Sequence, residues 1–215
     1  MAGTFLSIGT GPGIGLATAR RFAAEGYRVV LAARNAARLA ETADDLRRGP
    51  NADVEVEPVD CSDSASVAAL VDRYAADLTV LHYNAAALRP QSLQAQSIDS
   101  IGEDMHVDVT SALVAARQAY AAMAPRRSGS ILLTGGILAT NPVADMLTLS
   151  VGKAALRCAA QALFPGFAAD GIHVAVLTIA AGIRPGSPAA TAVGDAFWAL
   201  HAQPRDQWQW EAAYP

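Results

Sequence analysis

The stretch "SIGTGPGIGLATARRFAAEG", residues 7–26, places glycines at positions 9, 11, 13 and 15 between an apolar run of strand length and an alanine-rich run of helical length. Strand, glycine-rich turn and helix in this order are typical of a turn whose backbone approaches a pyrophosphate, with the phosphate charge at the helix N-terminus. A tight turn without a ligand is the alternative, although one turn rarely needs four glycines. The stretch therefore predicts a dinucleotide site at Gly9, Gly11, Gly13 and Gly15.

The same alternation of strand-like and helix-like runs continues along the chain. Strands are predicted at Thr4–Gly9, Tyr27–Ala32, Val54–Pro58, Leu78–Tyr83, Ser130–Thr134 and Ile172–Ile179. Helices are predicted to start near Gly13, Ala36, Asp63, Ser97, Pro142 and Pro188, and the one from Ser97 is long and runs to Met123. Nearly continuous apolar strands suit a parallel sheet covered on both faces. We expect an α/β fold over residues 1–215: a single-domain, three-layer, doubly wound parallel sheet, or Rossmann fold.

Length and composition favour one core, because 215 residues with 52% hydrophobic content suffice for a single sizeable domain. The sequence contains no uncharged apolar run of membrane-spanning length, and the N-terminus lacks the basic start of a secretory signal. We therefore expect a cytoplasmic protein with no membrane partner.

Charge and cysteine content argue against two other classes of site. The net charge is −4, and only Arg47-Arg48 and Arg126-Arg127 form basic pairs, so no nucleic acid partner is expected. Cys61 and Cys158 stand apart from each other and from histidines at ligand spacing, so no metal site is expected.

Cofactor preference is indicated by "VVLAARN", residues 29–35, at the end of the second predicted strand. An acid at this position binds the ribose 2′-hydroxyl of NAD, whereas an arginine accommodates the 2′-phosphate of NADP. Arg34 therefore predicts NADP as the cofactor. The alternative is that Arg34 is a solvated charge at a strand end.

From Thr4 to about Gly182 the sequence resembles the short-chain dehydrogenase/reductase family. The family motif T-G-x-x-x-G-x-G matches residues 8–15, with Ile8 in place of threonine. This resemblance adds Ile14 to the cofactor site, implies that Asp60 meets the adenine, and places Asn84 of "YNAA" along the cofactor channel. The basic residue that some NADP-binding members carry is replaced by Pro12, so the NADP preference depends on Arg34.

The catalytic positions depart from the family pattern in "TLSVGKAALR", residues 148–157. In the family, a tyrosine four residues before a lysine shares its helix face and transfers the proton, while the lysine holds the nicotinamide ribose. Here Lys153 is present, but Leu149 occupies the tyrosine position. Gly136 matches the family serine, and Asp108 matches its helix asparagine.

A replacement proton donor is sought among the polar residues near these positions. Asp108 is the leading candidate, with Lys153 as the second catalytic residue; the alternative is that Asp108 is a helix polar group satisfied by a backbone amide or by Lys153. His82 and Tyr83 lie at the end of a central strand, and alternation places only one of them on a given face. Thr134 offers a hydroxyl or is simply a core threonine.

After Gly182 we expect one helix, from about Pro188 to Ala202, and a short tail without the family's seventh strand. Trp198, Trp208 and Trp210 either close the pocket or pack the tail or an interface, and packing is favoured. The resemblance also implies a homodimer or homotetramer formed through the helices from Ser97 and around Lys153.

Two functions remain open at this point. The first is an NADP(H)-dependent oxidoreductase acting on a small organic substrate that needs little acid assistance. The second is a non-redox protein on the same scaffold: an isomerase, a cyclase or a cofactor-binding regulator.

Overall fold

The computed structural model describes residues 3–48 and 53–215, and seven strands within them form one parallel sheet. The strands are β1 (Thr4–Ile8), β2 (Arg28–Ala33), β3 (Val54–Pro58), β4 (Leu78–Tyr83), β5 (Gly129–Thr134), β6 (Ile172–Ile179) and β7 (Glu211–Tyr214). Their order is β3-β2-β1-β4-β5-β6-β7, and every neighbouring pair is parallel. The predicted doubly wound α/β fold is confirmed.

Seven α-helices are described, and they cover both faces of the sheet. They are α1 (Ile14–Ala24), α2 (Ala36–Arg47), α3 (Ser64–Arg73), α4 (Ile98–Met105), α5 (Ser111–Met123), α6 (Leu147–Ala169) and α7 (Pro188–His201). One apolar core lies between the sheet and α3, α5 and α6, and the other lies between the sheet and α1, α2 and α7. No described helix combines the length and the apolar character that crossing a membrane requires.

The long helix predicted from Ser97 to Met123 is interrupted. Ser97 caps α4, as expected, but residues His106–Thr110 form a π-helical turn between α4 and α5. The Tyr83 hydroxyl reaches this turn and donates a 2.6 Å hydrogen bond to the carbonyl oxygen of Val107. Such single π turns inside helices are frequent at functional sites. This one carries Asp108.

Helix α6 begins at Leu147, five residues after the predicted start at Pro142. The preceding residues Ala144–Met146 form a 3₁₀ turn instead. The Ser150 hydroxyl accepts a hydrogen bond from the Val143 amide at 3.3 Å and donates one to the Met146 carbonyl at 2.9 Å. These bonds tie the turn to the first turn of the helix.

The expectation of a tail without a seventh strand is wrong, since residues Glu211–Tyr214 pair with β6 as β7. Arg157 of α6 secures this strand through two 2.8 Å hydrogen bonds to the Glu211 carboxylate. Its guanidinium also lies 5.1 Å from the ring centre of Trp210. A strand of four residues, two of them alanine, has too weak a pattern to be recognised in the sequence.

Candidate functional site

A cleft opens at the carboxyl edge of the sheet, beside the point where the strand order reverses between β1 and β4. Open parallel sheets bind their ligands at this point. The cleft has a volume of about 690 Å³ and is lined by residues 9–11, 33–34, 59–62 and 84–89, with Glu103, Asp104 and Val107. Among the predicted site residues, the lining includes Gly9, Gly11, Arg34, Asp60 and Asn84.

Two of the four glycines in the first turn are required by the fold itself. Gly9 has a φ of +81°, and a Cβ there would lie 2.2 Å from the Ala85 amide nitrogen. A Cβ at Gly15 would lie 2.9 Å from the Cα of Thr10. These glycines therefore allow the turn to pack against the loop after β4 and against itself.

The other two glycines are not explained by packing. A Cβ at Gly11 would meet no atom within 4 Å, and one at Gly13 would meet only the Ile183 carbonyl oxygen at 3.6 Å. Gly13 is the N-cap of α1, so no side chain caps the amides of the first helical turn, which begins at Ile14. Open space next to uncapped helix amides is what a pyrophosphate requires. The turn fits the predicted dinucleotide.

Arg34 follows β2 directly and is exposed, and it lines both the main cleft and a smaller pocket of about 290 Å³ beside it. No hydrogen bond or ion pair joins its guanidinium to another side chain in the described part of the chain. Asp60 and Ser66 share the smaller pocket. An unpaired guanidinium in this position is available to a phosphate.

Asp60 is held in a fixed orientation on the cleft wall. One of its carboxylate oxygens accepts hydrogen bonds from the Ser62 amide and the Ser62 hydroxyl, both at 2.9 Å. These bonds, with a smaller contribution from the charge of Arg34, lower the pKa of Asp60. The carboxylate is thus ionised at neutral pH and exposed to the cleft.

Asn84 ties the glycine turn to the sheet. Its Nδ2 donates to the Gly9 carbonyl at 2.8 Å, and its Oδ1 accepts from the Thr134 hydroxyl at 3.0 Å. The residue also lines the cleft. The Asn84 side-chain amide therefore holds the first residue of the glycine turn, Gly9, against the sheet.

Lys153 lies on α6 and is half-buried, and its Nζ donates to the backbone carbonyl oxygen of Thr134 at 2.6 Å. Burial lowers the pKa of this ammonium to about 8, and the charge of Asp108 opposes the shift. No ion pair within 4.0 Å links Lys153 to a carboxylate of residues 3–48 or 53–215. One of the three ammonium protons is used, so two remain for a ligand.

Asp108 is almost completely buried, with 2% of its surface exposed. Its Oδ1 accepts from the Ala87 amide at 2.7 Å, whereas Oδ2 has no hydrogen-bond partner among the described residues. Burial raises the pKa of this carboxyl to about 6, against the opposing effects of the Ala87 amide and the Lys153 charge. A Cβ at Gly152 would lie 2.5 Å from the Asp108 Cβ, so glycine permits α6 to approach this closely.

The two positions expected to lack catalytic groups lie beside Lys153. Leu149 is buried with 5% exposure, and a Cβ added at Gly136 would lie 3.8 Å from Lys153 Cγ. None of the five tyrosines lies in α6, the helix that carries Lys153. Four of them make hydrogen bonds through their hydroxyls elsewhere: Tyr27 to His201, Tyr74 to Glu55 and Glu57, Tyr83 to Val107 and Tyr120 to Asp170.

His82 and Tyr83 lie on opposite faces of the sheet, as strand alternation predicts. His82 is completely buried against Phe5 and Phe197, and burial lowers the pKa of its imidazole to about 3. His82 is therefore neutral and closed off from the cleft. His106 bonds the Ser64 hydroxyl at 2.7 Å and is likewise occupied.

The three tryptophans pack the C-terminal part of the chain. Trp198 contacts Phe22, Trp208 stacks on His173 at 4.8 Å between ring centres, and Trp210 lies against Arg157. None of them belongs to the described lining of the main cleft.

Sequence reasoning missed a buried carboxylate in the cleft wall. Asp104 is 1% exposed and receives Arg89 Nε on both oxygens at 3.2 Å, with further hydrogen bonds from Gln96 at 3.0 Å and Thr148 at 2.9 Å. Asp104 stands four residues before Asp108, and this spacing was the available signal. Its partners come from a loop and from α6, which no local pattern connects.

Known proteins resemble this chain in sequence. The family model described as short chain dehydrogenase matches residues 4–190. A cis-4-hydroxycyclohexanecarboxylate dehydrogenase of Sinomonas cyclohexanicum is 32% identical over 174 residues, covering 77% of this chain and 68% of that protein.

Solved structures show the same fold. A short-chain dehydrogenase from Rhodopseudomonas palustris superposes with a TM-score of 0.91 at 24% identity, covering 100% of this chain and 99% of the other. A metagenomic short-chain oxidoreductase in complex with NADP gives 0.87 at 22% identity, with 99% and 96% covered. The match of the family model over most of the sequence establishes the identity: the chain belongs to the short-chain dehydrogenase/reductase family.

Proposed function

We propose that this protein is an NADP(H)-dependent oxidoreductase that acts on a small organic substrate needing little acid assistance. The observation that carries the proposal is the unfilled space at Gly11 and Gly13 next to the uncapped start of α1. Neither glycine is required by packing, whereas both suit a bound pyrophosphate. Family membership supports a nicotinamide cofactor in this space.

The cofactor contacts are proposed residue by residue. The amides at Gly11, Gly13 and Ile14 hold the pyrophosphate. Arg34 binds the 2′-phosphate of NADP, and the similar metagenomic oxidoreductase crystallised with NADP supports that preference. Lys153 holds the nicotinamide ribose with its two remaining protons.

Two further residues are proposed to contact the cofactor, one at its adenine and one along the channel. Asp60 accepts a hydrogen bond from the adenine, and Asn84 lines the channel while its amide holds Gly9 in place. Both lie on the described cleft surface.

Asp108 is the proposed proton donor. When bound, the nicotinamide would supply or accept hydride, and for substrates such as enones the protein also has to supply or accept a proton. Because Oδ1 is occupied by the Ala87 amide, a proton on this carboxyl would reside on Oδ2, the oxygen without a partner. A pKa near 6 leaves a fraction of the carboxyl protonated at neutral pH, which is what a general acid needs.

The proposed substrate class follows from Leu149 and Gly136. Neither side chain binds or protonates a carbonyl oxygen, and a positioned acid contributes about 10²–10⁴-fold to such reactions. Substrates that are already activated, such as iminium ions or conjugated enones, lose least from this absence. They are the proposed substrates.

The same two residues also favour a second candidate, a non-redox member of the family that binds the cofactor without transferring hydride. Under this alternative, Lys153 still holds the ribose, because that role does not depend on the phenol. Asp108 would then be a buried structural carboxyl.

The experiment is oxidation of NADPH in the presence of a panel of unactivated ketones, cyclic imines and enones. Gly11→Asp is the control, because its side chain enters open space and carries a charge that repels phosphate. Gly11→Ala is the matched variant without the charge. Turnover that Gly11→Asp abolishes and Gly11→Ala largely retains supports the oxidoreductase. Binding of NADPH without any turnover supports the non-redox alternative.

We also propose a homodimer or homotetramer formed through α5 and α6. Leu113 of α5 and Val151 of α6 are exposed, at 45% and 47% of their surface. Exposed apolar side chains on these two helices suit burial by a second copy. Light scattering of Leu113→Glu and Val151→Glu variants tests the assembly, since both charges should reduce the measured mass.

A further inference from the structure

Four polar side chains form a continuous hydrogen-bonded chain beneath the cleft, across β1, β4 and β5. Ser7 Oγ lies 3.1 Å from His82 Nδ1, and His82 Nε2 lies 3.0 Å from Thr134 Oγ1. The chain continues from the Thr134 hydroxyl to Asn84 Oδ1 at 3.0 Å and from Asn84 Nδ2 to the Gly9 carbonyl at 2.8 Å. Ser7 and His82 are completely buried, and Thr134 is 5% exposed.

The donor and the acceptor of each hydrogen bond can be assigned by starting from Asn84. Asn84 Nδ2 donates to the Gly9 carbonyl, so Oδ1 faces Thr134 and can only accept. The single hydroxyl proton of Thr134 is therefore used on Asn84. His82 Nε2 must then donate to Thr134 Oγ1, which leaves Nδ1 bare to accept from the Ser7 hydroxyl. All four side chains are satisfied when His82 is neutral and protonated at Nε2.

The surroundings of His82 keep it in that state. Phe5 and Phe197 pack against its ring at 5.9 and 4.6 Å between centres, and the charge of Lys153 also acts on it. Burial and this charge both lower the pKa of the imidazole. A second ring proton on Nδ1 would also reverse the bond to Ser7, whose hydroxyl would have to accept and turn its own proton elsewhere.

Thr134 links the hydrogen-bonded side chains to Lys153. Its hydroxyl orients Asn84, which holds the glycine turn at Gly9, and its backbone carbonyl receives Lys153 Nζ at 2.6 Å. The glycine turn and Lys153 are two of the places where cofactor binding is proposed. Both depend on the placement of one threonine.

We infer that His82 is a positioning residue, whose Nε2–H tautomer sets the direction of the Thr134 hydroxyl and so holds Asn84, the glycine turn and Lys153 in one arrangement. The inference that this arrangement serves cofactor binding rests on the proposed function. The inference that His82 orients Thr134 and Asn84 does not depend on it.

The first test is ¹⁵N NMR of the imidazoles in the wild-type protein, with His82→Gln used to assign the signals. A protonated Nε2 and a bare Nδ1 are expected, unchanged between about pH 5 and pH 8, where free histidine titrates. The opposite tautomer, or titration within this range, would overturn the inference. This measurement needs no cofactor.

The second test compares Thr134→Val with Thr134→Ser. Valine removes the hydroxyl but keeps the shape and the backbone carbonyl, whereas serine keeps the hydroxyl. Thr134→Val is expected to speed hydrogen exchange of the Asn84 side-chain amide and to weaken NADPH binding by about three- to tenfold in calorimetry. Thr134→Ser is expected to stay within about twofold of wild type in both.

Equal NADPH affinity and equal Asn84 exchange in the two variants, with only the valine protein less stable, would show a purely structural role and refute the inference. If the wild type binds neither NADPH nor NADH, the proposed function fails instead, and the tautomer and the Asn84 exchange still decide whether His82 positions Asn84. If Thr134→Val does not fold, the tautomer of His82 in the wild-type protein decides whether the inference stands.

Discussion

Replacement of Lys153 by methionine tests the cofactor half of the site most directly. The Lys153 ammonium has one protein partner, the Thr134 carbonyl, and two protons to offer a ribose. With a pKa of about 8, about nine-tenths of it is charged at neutral pH. A hydrogen bond to a charged group contributes about 1.5–3 kcal/mol, so Lys153→Met should weaken NADPH binding about tenfold or more.

The effect can be measured by thermal melting with and without NADPH. A tenfold loss of affinity removes about 1.4 kcal/mol of ligand stabilisation at a fixed saturating concentration. In a domain of this size, that loss reduces the NADPH-induced rise in melting temperature by about 3–6 °C. The melting temperature without NADPH should change little, because removing a desolvated charge stabilises and removing the partner of Thr134 destabilises.

Arg157→Met is the matched control on the same helix. It also removes one positive charge from α6, but its guanidinium pairs with Glu211 at the edge of the sheet. It should lower stability and leave the NADPH-induced shift intact. A Lys153→Met protein with the wild-type shift would refute a ribose contact.

The lowered pKa of Lys153 also predicts a pH dependence with a definite sign. The charged form binds, and it is lost as pH rises through about 8, so wild-type affinity should fall above that pH. Bound NADPH favours the ammonium and moves the midpoint upwards. Lys153→Met should show no such fall, and calorimetry across this range distinguishes the two.

Three further predictions concern the rest of the site. Arg34→Ala should erase a preference for NADPH over NADH of about tenfold or more, and equal dissociation constants in the wild-type protein would contradict the role of Arg34. Reductive turnover of enones, which take up a proton as well as hydride, should fall as pH rises through about 6, because the proton on Asp108 is lost. Steady-state rates of Asp108→Asn with enones should be lower by about 10²-fold or more and lack this dependence; an unchanged profile would exclude Asp108 as the acid. Unactivated ketones should be reduced at least about 10²-fold more slowly than by a Leu149→Tyr, Gly136→Ser variant that folds, and efficient ketone reduction by the Asp108→Ala protein would require a different acid.

Much of the architecture could be predicted because it depends on strong local patterns. The continuous apolar run Ile172–Ile179 and the glycine turn before α1 are visible in any window of the sequence, and the bounds of β3, β4 and β6 are correct. The strand β7 was missed because four residues of "EAAY" are paired by β6 and secured by Arg157, and both are distant in sequence.

The details of the site depend on contacts that a sequence pattern does not contain. No local pattern in residues His106–Thr110 specifies a π turn, and this turn is reached by a hydrogen bond from Tyr83 on another element. The partner of Lys153 is a backbone carbonyl, which carries no residue identity. His82 was correctly placed at a strand end, but its depth depends on the packing of Phe5 and Phe197.

The contact between Gly152 and Asp108 has a consequence for engineering the site. Only a hydrogen atom at position 152 separates α6 from the π turn, since a methyl group there would lie 2.5 Å from the Asp108 Cβ. Gly152→Ala would therefore displace the carboxylate without changing any ionisable group. The variant is therefore a geometric control for random mutagenesis, because it moves the proposed acid and keeps its carboxyl group.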